Sequence, residues 1–412
     1  MKEILIITDS IDINSSSGSK TNLAIIDNLV YCGFNVFVIH NTNNKNIDTK
    51  YNNSKIVISK WDPLYLLGGG TRFLFRHTGI NINKWFESVF GFSAEFFSTA
   101  KAYTRAINRN KKQYDLVLTL SIAASFRPHY GALKCYAIHE KWLAYIHDPY
   151  PFHFYPRPYN WVQPGYNKKE QFFHKLSQNA KWFGFPSRLL MDWMSSYFPT
   201  MEKKSVLIPH QISKVEVPVF NTSSYWNPEA FNLLHAGSLM KQRPADGLIL
   251  GFQRFLKKNP ESAEFARLHL IGPADYHAKK LKEYSDETPQ IKLNLKGVSF
   301  KEAYWLQKEA SVNIILESKS EISPFLPGKF PHCIEANKPV ILLSPYYSES
   351  RRLLGSDYPF WCENDDIEKI SNYIELIYSD WFNKINYEIN RPDLLEYMGV
   401  GTLQNTINNL LN

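Results

Sequence analysis

Three turns of the sequence combine glycine or a basic side chain with the start of a helical pattern. They are residues 15–20 (SSSGSK, with Gly18), residues 237–243 (GSLMKQR, with Arg243) and residues 327–329 (PGK). A helix N-terminus presents backbone N–H groups to an anion, and a guanidinium can fork around a phosphate. Together the turns predict diphosphate binding. Singly, each also fits a capped helix or a solvated surface charge.

A proline-rich and aromatic-rich segment covers residues 146–166 (IHDPYPFHFYPRPYNWVQPGY). Its prolines exclude a regular helix and a central strand, so we predict a long ordered loop that follows a strand. Loops in this position concentrate function, and His147 and Asp148 open the loop. We expect a neutral His147 imidazole to hydrogen-bond a ligand. The alternative is a structural loop with a core histidine, and for His153 and Arg157 both interpretations stay open.

Short apolar runs alternate with helical patterns and predict the elements that hold these residues. The predicted strands of the first half are 4–8, 35–40, 55–59, 115–120, 143–147, 180–185 and 205–210, with helical stretches at 19–32, 83–112 and 167–178. A second series of strands follows at 231–237, 267–272, 291–297, 312–317 and 339–344. Strands joined by helices pair in parallel, so the fold class is predicted as α/β with two doubly wound domains.

The predicted domain boundaries follow from composition. Residues 1–210 form the predicted N-terminal domain, and residues 211–230, rich in Ser, Asn and Pro, form a linker. Residues 231–380 form the second domain. The segment 381–412 is predicted as C-terminal helices that could pack back on the N-terminal domain.

Composition excludes several classes of protein. The 412 residues carry a net charge of +8 with 44% hydrophobic residues, which fits a two-domain globular protein rather than a disordered chain. The 4 cysteines are widely spaced without a CxxC pair, which argues against a zinc ribbon or a disulfide framework. The first residues lack a signal-peptide pattern and no stretch is apolar enough to span a bilayer, so we expect a cytoplasmic protein.

Residues 60–112 carry much of the positive charge. They contain nine Lys or Arg against three acidic residues, interleaved with aromatic side chains. One interpretation is a long helix that packs its aromatics on the sheet. The other is a surface that faces the acceptor or an anionic membrane, which would make the protein peripheral at the inner membrane face. The basic residues singled out for this surface are Arg72, Arg76, Arg105 and Arg109.

The order of the motifs resembles a GT-B-fold glycosyltransferase, most closely the retaining family-4 type, over essentially the whole chain. The motifs are Gly18, His147-Asp148-Pro149, the segment from Gly237 to Arg243, and Pro327-Gly328-Lys329 followed by Lys338-Pro339-Val340. The resemblance implies two Rossmann-like domains facing across a cleft. It also implies that the N-terminal domain lies on the acceptor side and that the second domain binds a nucleotide-sugar.

The resemblance further implies residue roles. Arg243 and Lys329 would hold the donor diphosphate, Gly18 would bring the backbone close to it, and His147 would meet the transferred sugar. Gly272 and Val298 match loops that border the base and ribose. The full set of expected donor-binding residues is Gly18, Gly237, Ser238, Gly272, Val298, Gly328 and His332, and the expected catalytic set is His147, Asp148, Arg243 and Lys329.

Two departures from the family pattern concern the donor site. Family members often carry two glutamates separated by seven residues, and here Pro324 and His332 occupy those positions. Glu335 is three residues out of phase, and Glu321 could supply a carboxylate instead. Ser238 stands where an arginine often follows the glycine. The nucleotide is therefore left open.

The expected function is transfer of a sugar from a nucleotide diphosphate-sugar to a hydroxyl of a glycan or lipid-linked acceptor. No cofactor is expected beyond this donor, and no metal, since no Asp-x-Asp motif occurs. Retention follows from the resemblance, whereas Asp148 as a general base would suit inversion. The alternatives are a GT-B-fold sugar-nucleotide epimerase and a basic nucleic-acid-binding protein. The second is disfavoured because the charge is concentrated in one stretch and no nucleic-acid motif occurs.

Overall fold

The computed structural model describes residues 1–44, 49–122, 125–149, 162–214, 216, 218–220, 225–385 and 387–412. Contacts divide these residues into two compact domains. The first contains the described residues up to Gln211 together with Val400–Asn412, and the second lies within Ile212–Gly399. The segments 150–161 and 221–224, which include His153 and Arg157, lie outside the described residues.

The first domain is built on a parallel sheet. Its described strands are β1 Glu3–Thr8, β2 Asn35–His40, β3 Asn52–Lys55, β4 Leu116–Leu120, β5 Trp142–Tyr145, β6 Trp182–Phe185 and β7 Ser205–Leu207, in the order β3-β2-β1-β4-β5-β6-β7. The helices are α1 Ser17–Tyr31, α2 Pro63–Thr78, α3 Ile82–Phe90, α4 Ala94–Arg109, α5 Arg127–Leu133, α6 Tyr166–Asn179 and α7 Arg188–Tyr197. The order reverses beside β1, which is the doubly wound arrangement.

Alternate residues of β1 fill two cores, one on each face of this sheet. Leu5 and Ile7 pack in one core, and Ile4 and Ile6 pack in the other. All four are 2% exposed or less, and burying each such side chain stabilises the fold by roughly 1.5–3 kcal/mol. The continuous apolar run of β1 is therefore a consequence of helices covering both faces.

The second domain repeats the plan. Its described strands are β8 Phe231–Ala236, β9 Ala266–Ile271, β10 Ile291–Asn294, β11 Val312–Leu316, β12 Ile322–Ser323, β13 Val340–Leu343, β14 Tyr347–Ser348 and β15 Trp361–Cys362. The main sheet has the order β10-β9-β8-β11-β13-β15, and β12 pairs with β14. The helices from here to the chain end are α8 Asp246–Lys258, α9 Ala278–Glu287, α10 Phe300–Glu309, α11 Phe330–Glu335, α12 Glu349–Leu354, α13 Ile367–Phe382, α14 Pro392–Tyr397 and α15 Val400–Leu411.

Helix α15 belongs to the first domain although it ends the chain. Leu403 and Ile407 are buried in the core that also holds Leu23 and Ile26 of α1. The Gln404 amide donates to the carbonyl of Cys32 at 3.3 Å. The chain therefore returns to its first domain after the second one is complete.

The structure corrects the prediction of one long helix over 83–112. The described chain there forms all of α3 except its first residue and then α4, and the two helices are separated at Gly91, whose φ of +91° favours glycine. Ser93 restarts the helix by accepting a hydrogen bond from the backbone N–H of Phe96 at 3.2 Å. Strand β3 also ends at Lys55 rather than spanning 55–59, because Asn52–Lys55 is the segment that pairs with β2.

Candidate functional site

The ends of strands β8 and β9 meet backbone to backbone in the second domain. The N–H of Gly237 donates to the carbonyl of Ile271 at 2.8 Å. Gly272 follows with a φ of +142°, and a Cβ built on it would lie 2.4 Å from the carbonyl oxygen of Gly237. Only glycine allows this approach, so the two predicted donor-site glycines fix the shape of one edge of the sheet.

Lys329 lies directly beside this edge. Its Nζ atom is 2.9 Å from Nδ1 of His235 and donates to the carbonyl of Ile314 at 3.2 Å. A Cβ built on Gly237 would lie 3.3 Å from the same Nζ atom. A side chain at position 237 would therefore crowd the amine, and glycine leaves that space open.

Burial and nearby charges lower the pKa values of both Lys329 and His235. Burial lowers the pKa of Lys329 to about 7, the charge of Arg243 adds to the effect, and Glu317 opposes it. Burial, with the charges of Lys329 and Arg243, also holds the pKa of His235 well below its usual range. His235 is therefore neutral. Its Nε2 atom is buried and has no hydrogen-bond partner among the described residues.

Arg243 lies in the turn that follows β8. Its Nη1 atom donates to the carbonyl of Ser238 at 3.2 Å, which holds the guanidinium beside the expected donor loop. Its Nε atom is buried, and the described part of the chain offers it no hydrogen-bond partner. Arg243 and Lys329 are thus coupled electrostatically at the same end of the sheet, and N–H groups there are left to bind an anion.

Glu317 is a further member of this site that the motif analysis did not single out. It follows β11 and is buried, and its Oε1 atom accepts a hydrogen bond from the Ser348 hydroxyl at 3.0 Å. Burial raises the pKa of Glu317, while nearby serine hydroxyls and the charge of Arg243 act in the opposite direction. The available signal was an acidic residue at the end of a run of apolar strand residues, VNIILE.

His332 lies in α11, the short helix that begins after Lys329. Its ring contacts Phe300 and Tyr304 edge-on, with centroid distances of 5.4 and 4.7 Å. Its Nδ1 atom is 3.9 Å from Oε2 of Glu335, which also accepts a hydrogen bond from the Tyr304 hydroxyl. Glu335, although out of phase in sequence, therefore lies beside His332, which stands where the resemblance places a second glutamate.

The remaining expected donor residues lie around the same sheet edge. Ser238 is exposed, Gly328 is half-buried in the turn before α11, and Val298 packs partly buried beside Ile271 and Leu306. Their contact with a donor stays a prediction.

His147 stands two residues beyond the end of β5, in a buried polar network of the first domain. Its Nε2 atom is 2.6 Å from Oδ1 of Asn22, and its Nδ1 atom is 3.3 Å from Nε2 of His210. The Asn22 amide nitrogen donates to the carbonyl of Ser121, so Oδ1 is its accepting atom and Nε2 of His147 carries the proton. Burial, with the neighbouring histidines His210 and His129, holds the pKa of His147 well below its usual range. The expected neutral imidazole is thus held in one orientation.

Asp148 and Gly18 lie near this network in sequence. Burial raises the pKa of Asp148 to about 7, so its carboxyl group can give or take a proton near neutrality. Gly18 lies in the first turn of α1, which begins at Ser17, two residues before the predicted helical stretch 19–32. Ser16 caps this helix by accepting from the N–H of Ser19 at 3.1 Å.

Asp9 and Arg127 form a second polar cluster at the carboxyl edge of the first sheet, which sequence reasoning missed. Nη2 of Arg127 is 3.2 Å from Oδ2 of Asp9, and the Ser125 hydroxyl donates to the same oxygen at 2.5 Å. The Tyr103 hydroxyl lies 3.1 Å from Oδ1 of Asp9. Asp9 pairs with the guanidinium of Arg127. Its contacts with Arg127, Ser125 and Tyr103 fix the start of the loop after β1. The signal in the sequence was an aspartate directly after a buried strand.

The four arginines expected at an acceptor or membrane surface lie on two helices that pack together. Arg72 and Arg76 belong to α2, and Arg105 and Arg109 belong to α4. Arg72 forms an ion pair with Glu95, and Nη2 of Arg105 is buried. Arg76 and Arg109 are exposed. The four charges are therefore not equivalent, and their role stays a prediction.

Within the part of the chain that the structure describes, no group of three or more His, Cys, Asp or Glu side chains could hold a metal ion. Independence from metal stays a prediction.

In sequence, neither a family model nor a curated protein matches the chain. Solved structures do match. A glycosyltransferase from Rickettsia africae ESF-5 shares 12% identity at a TM-score of 0.62, covering 100% of this chain and 97% of that one. Sucrose-phosphate synthase from Thermosynechococcus elongatus shares 12% identity at a TM-score of 0.65, covering 100% and 98%.

A third match is the E. coli trehalose-6-phosphate structure bound with UDP-2-fluoro glucose. It shares 9% identity at a TM-score of 0.66, covering 100% of this chain and 99% of that one. Likeness at this level of identity shows the fold. The prediction of two doubly wound α/β domains is confirmed, and the fold of the chain is the GT-B fold found in glycosyltransferases.

Proposed function

We propose that the protein is a glycosyltransferase that moves a sugar from a nucleotide diphosphate-sugar to a hydroxyl group. The observation that carries the proposal is the basic site at the carboxyl end of the second sheet. There Lys329 lies 3.3 Å from the space that the missing side chain of Gly237 leaves open, and Arg243 lowers the pKa of Lys329 by its charge. Ligands of open α/β sheets bind outside this end of the strands.

The chemistry of the site suits a departing diphosphate. Negative charge develops on the leaving phosphate as the bond to the sugar breaks, and Arg243 and Lys329 can stabilise it with charge-assisted hydrogen bonds. A preorganised donor of this kind is worth about 3–4 kcal/mol in other enzymes. The buried Nε2 atom of His235, which has no hydrogen-bond partner among the described residues, lies at the same place.

We further propose retention of anomeric configuration, because the motif order favours it and because a structure of trehalose-6-phosphate synthase that shares this fold is described as transferring its sugar with retention. In that case the leaving phosphate takes the proton of the acceptor on the same face of the sugar. Asp148, with its pKa raised to about 7, is the residue that would support inversion as a general base. The anomer of the product, read by NMR, distinguishes the two.

The acceptor that we propose is a glycan or a lipid-linked glycan, used by a cytoplasmic protein that associates peripherally with the inner membrane face. The exposed aromatic side chains of α2 and α3 support this setting. No described helix is long and apolar enough to cross a membrane.

The proposal is tested first by donor screening. UDP-, GDP-, dTDP- and CMP-sugars are added singly, and the shift in unfolding temperature is measured for the wild type and for Arg243→Ala. We expect one nucleotide class to stabilise the wild type and to stabilise the variant much less, since binding to the native state raises its stability. Stabilisation by none of these donors would overturn the proposal.

A further inference from the structure

We propose that α2 and α3 form an interfacial membrane-binding face that inserts aromatic side chains among anionic phospholipids. The inference rests on the proposed membrane setting and deepens it by naming the surface and its lipid partner. The α2–α3 face consists of exposed apolar residues of these helices and of the turns beside them: Trp61, Leu66, Leu67, Phe73, Ile80, Trp85, Val89 and Phe90. Several are large and highly exposed, with Trp61 at 87%, Phe73 at 63% and Trp85 at 65%.

The residues of α2 that face the protein are small, whereas large apolar residues of the helix face solvent. Gly68 and Thr71 are its buried residues, and a Cβ built on Gly68 would lie 3.3 Å from Cβ of Glu95 in α4. Leu66 and Phe73 lie seven residues apart, two helical turns, and therefore share the outward stripe. A helix that only covered a core would show the reverse pattern.

Helix α3 extends the same feature. None of its residues is buried, and Trp85, Val89 and Phe90 are exposed although the helix is amphipathic. Tryptophan is enriched where proteins meet the lipid headgroup region, because its ring is apolar and its N–H is polar. Large exposed apolar patches on a protein surface mark interaction sites.

The charged residues near the α2–α3 face favour binding to an anionic bilayer. No acidic residue occurs between Asp62 and Glu87, whereas Arg76 and Lys84 lie in that stretch together with Arg72, which is paired with Glu95. Asp62 is itself paired with Lys101, at 3.2 Å. Two copies of such a face would bring like charges together, which disfavours self-association through it. A negative lipid surface complements it.

The helices would lie in the plane of the interface. Amphipathic helices with aromatics on one side and basic residues beside them bind the boundary between headgroups and acyl chains. Such binding combines an electrostatic part, which salt screens, with burial of apolar area, which salt does not screen. It differs from binding by charge alone in keeping a part of its strength at high salt.

Co-sedimentation with vesicles tests this directly with the full chain. Vesicles of phosphatidylcholine, with or without phosphatidylglycerol, are compared at low and high salt. The test variant is Phe73→Ser/Trp85→Ser, and the matched control is Leu376→Ser/Ile385→Ser, which removes two similarly exposed apolar side chains from the second domain. Equal unfolding temperatures and equal nucleotide-sugar binding establish that both variants fold and keep the donor site.

We expect the wild type to bind the anionic vesicles and to keep part of that binding at high salt. The test variant should bind at least about tenfold more weakly, and the control should bind like the wild type. Wild-type binding by the test variant would overturn the proposal, as would no vesicle binding by the wild type. A wild-type dimer that dissociates in the test variant would assign the face to a second copy and would also overturn it. None of these results depends on sugar transfer, so they leave the proposed function separately testable.

Discussion

The Nζ atom of Lys329 lies 2.9 Å from Nδ1 of His235, at the carboxyl end of β8. Both pKa values are lowered, that of Lys329 to about 7, because the pair is buried beside Arg243. In the unfolded chain Lys329 keeps its ordinary pKa of 10.5. The unfolded state therefore binds more protons between pH 7 and 10.5, and this group makes the free protein more stable as pH rises through that window.

Binding of the donor should favour the protonated form of Lys329, and the protein should therefore take up a proton when the donor binds. A diphosphate beside Lys329 favours the ammonium form and raises its pKa. Above pH 7, where the free amine is largely neutral, binding must therefore add a proton, and affinity should fall as pH rises. Calorimetry in two buffers with different ionisation enthalpies measures the uptake with the stabilising nucleotide-sugar. Binding at pH 8 without proton uptake would contradict this account.

Glu317→Gln tests the same electrostatics in the opposite direction, because it removes a negative charge near Lys329 whereas donor binding adds one. The Glu317 carboxylate raises the pKa of Lys329, so its removal should lower that pKa further. The pH above which donor affinity declines should then move to a lower value than in the wild type. An unchanged or higher value would remove Glu317 from the electrostatics of this site.

His147→Ala should lower turnover by ~10²-fold while leaving the affinity for nucleoside diphosphate nearly unchanged. The basic groups of the diphosphate site belong to the other domain, whereas the imidazole is held in one orientation by Asn22 and His210. His147→Gln, which retains an N–H donor, should restore part of the activity. Because the buried Asn22 amide loses its partner, we also expect a stability loss of about 1–3 kcal/mol in the alanine variant. Normal turnover per folded molecule would make His147 a structural residue.

Gly272→Ala should destabilise the second domain and weaken donor binding together. Its φ of +142° is unfavourable for alanine, and the new Cβ would meet the carbonyl oxygen of Gly237 at 2.4 Å. We expect a loss of about 1–3 kcal/mol in the free energy of unfolding, measured by denaturant titration. Gly401→Ala is the control, since nothing lies within 4 Å of its Cβ position in α15. An unchanged free energy of unfolding in Gly272→Ala would contradict this prediction, because it would mean that the turn accommodates the new Cβ atom without loss of stability.

The two-domain α/β plan could be predicted because buried parallel strands are continuous apolar runs. β1 and β8 each pack between two layers, and four of the six residues in each strand are apolar. The breaks at Gly79 and Gly91 were harder to predict, because an aromatic-rich amphipathic run continues across them. Strand β15 was missed because Trp361–Cys362 is too short to show a period.

The basic part of the candidate site could be predicted from spacing, because glycine and basic residues at strand-to-helix turns converge on one sheet edge. The approach of Lys329 to His235 could not, since it joins side chains 94 residues apart. The link between His147 and Asn22 likewise crosses 125 residues. Such pairs depend on the register of neighbouring strands, which no local pattern encodes.

The central claim is that Arg243 and Lys329 hold the diphosphate of a nucleotide donor, and calorimetric titration of the matching nucleoside diphosphate tests it most directly. The proteins compared are the wild type, Arg243→Ala, Lys329→Ala and a control, Lys257→Ala, which removes an exposed charge from the last turn of α8. We predict that each of the first two variants loses at least about tenfold in affinity, equivalent to about 1.4 kcal/mol, and that the control binds like the wild type. Wild-type affinity in both Arg243→Ala and Lys329→Ala would contradict the claim.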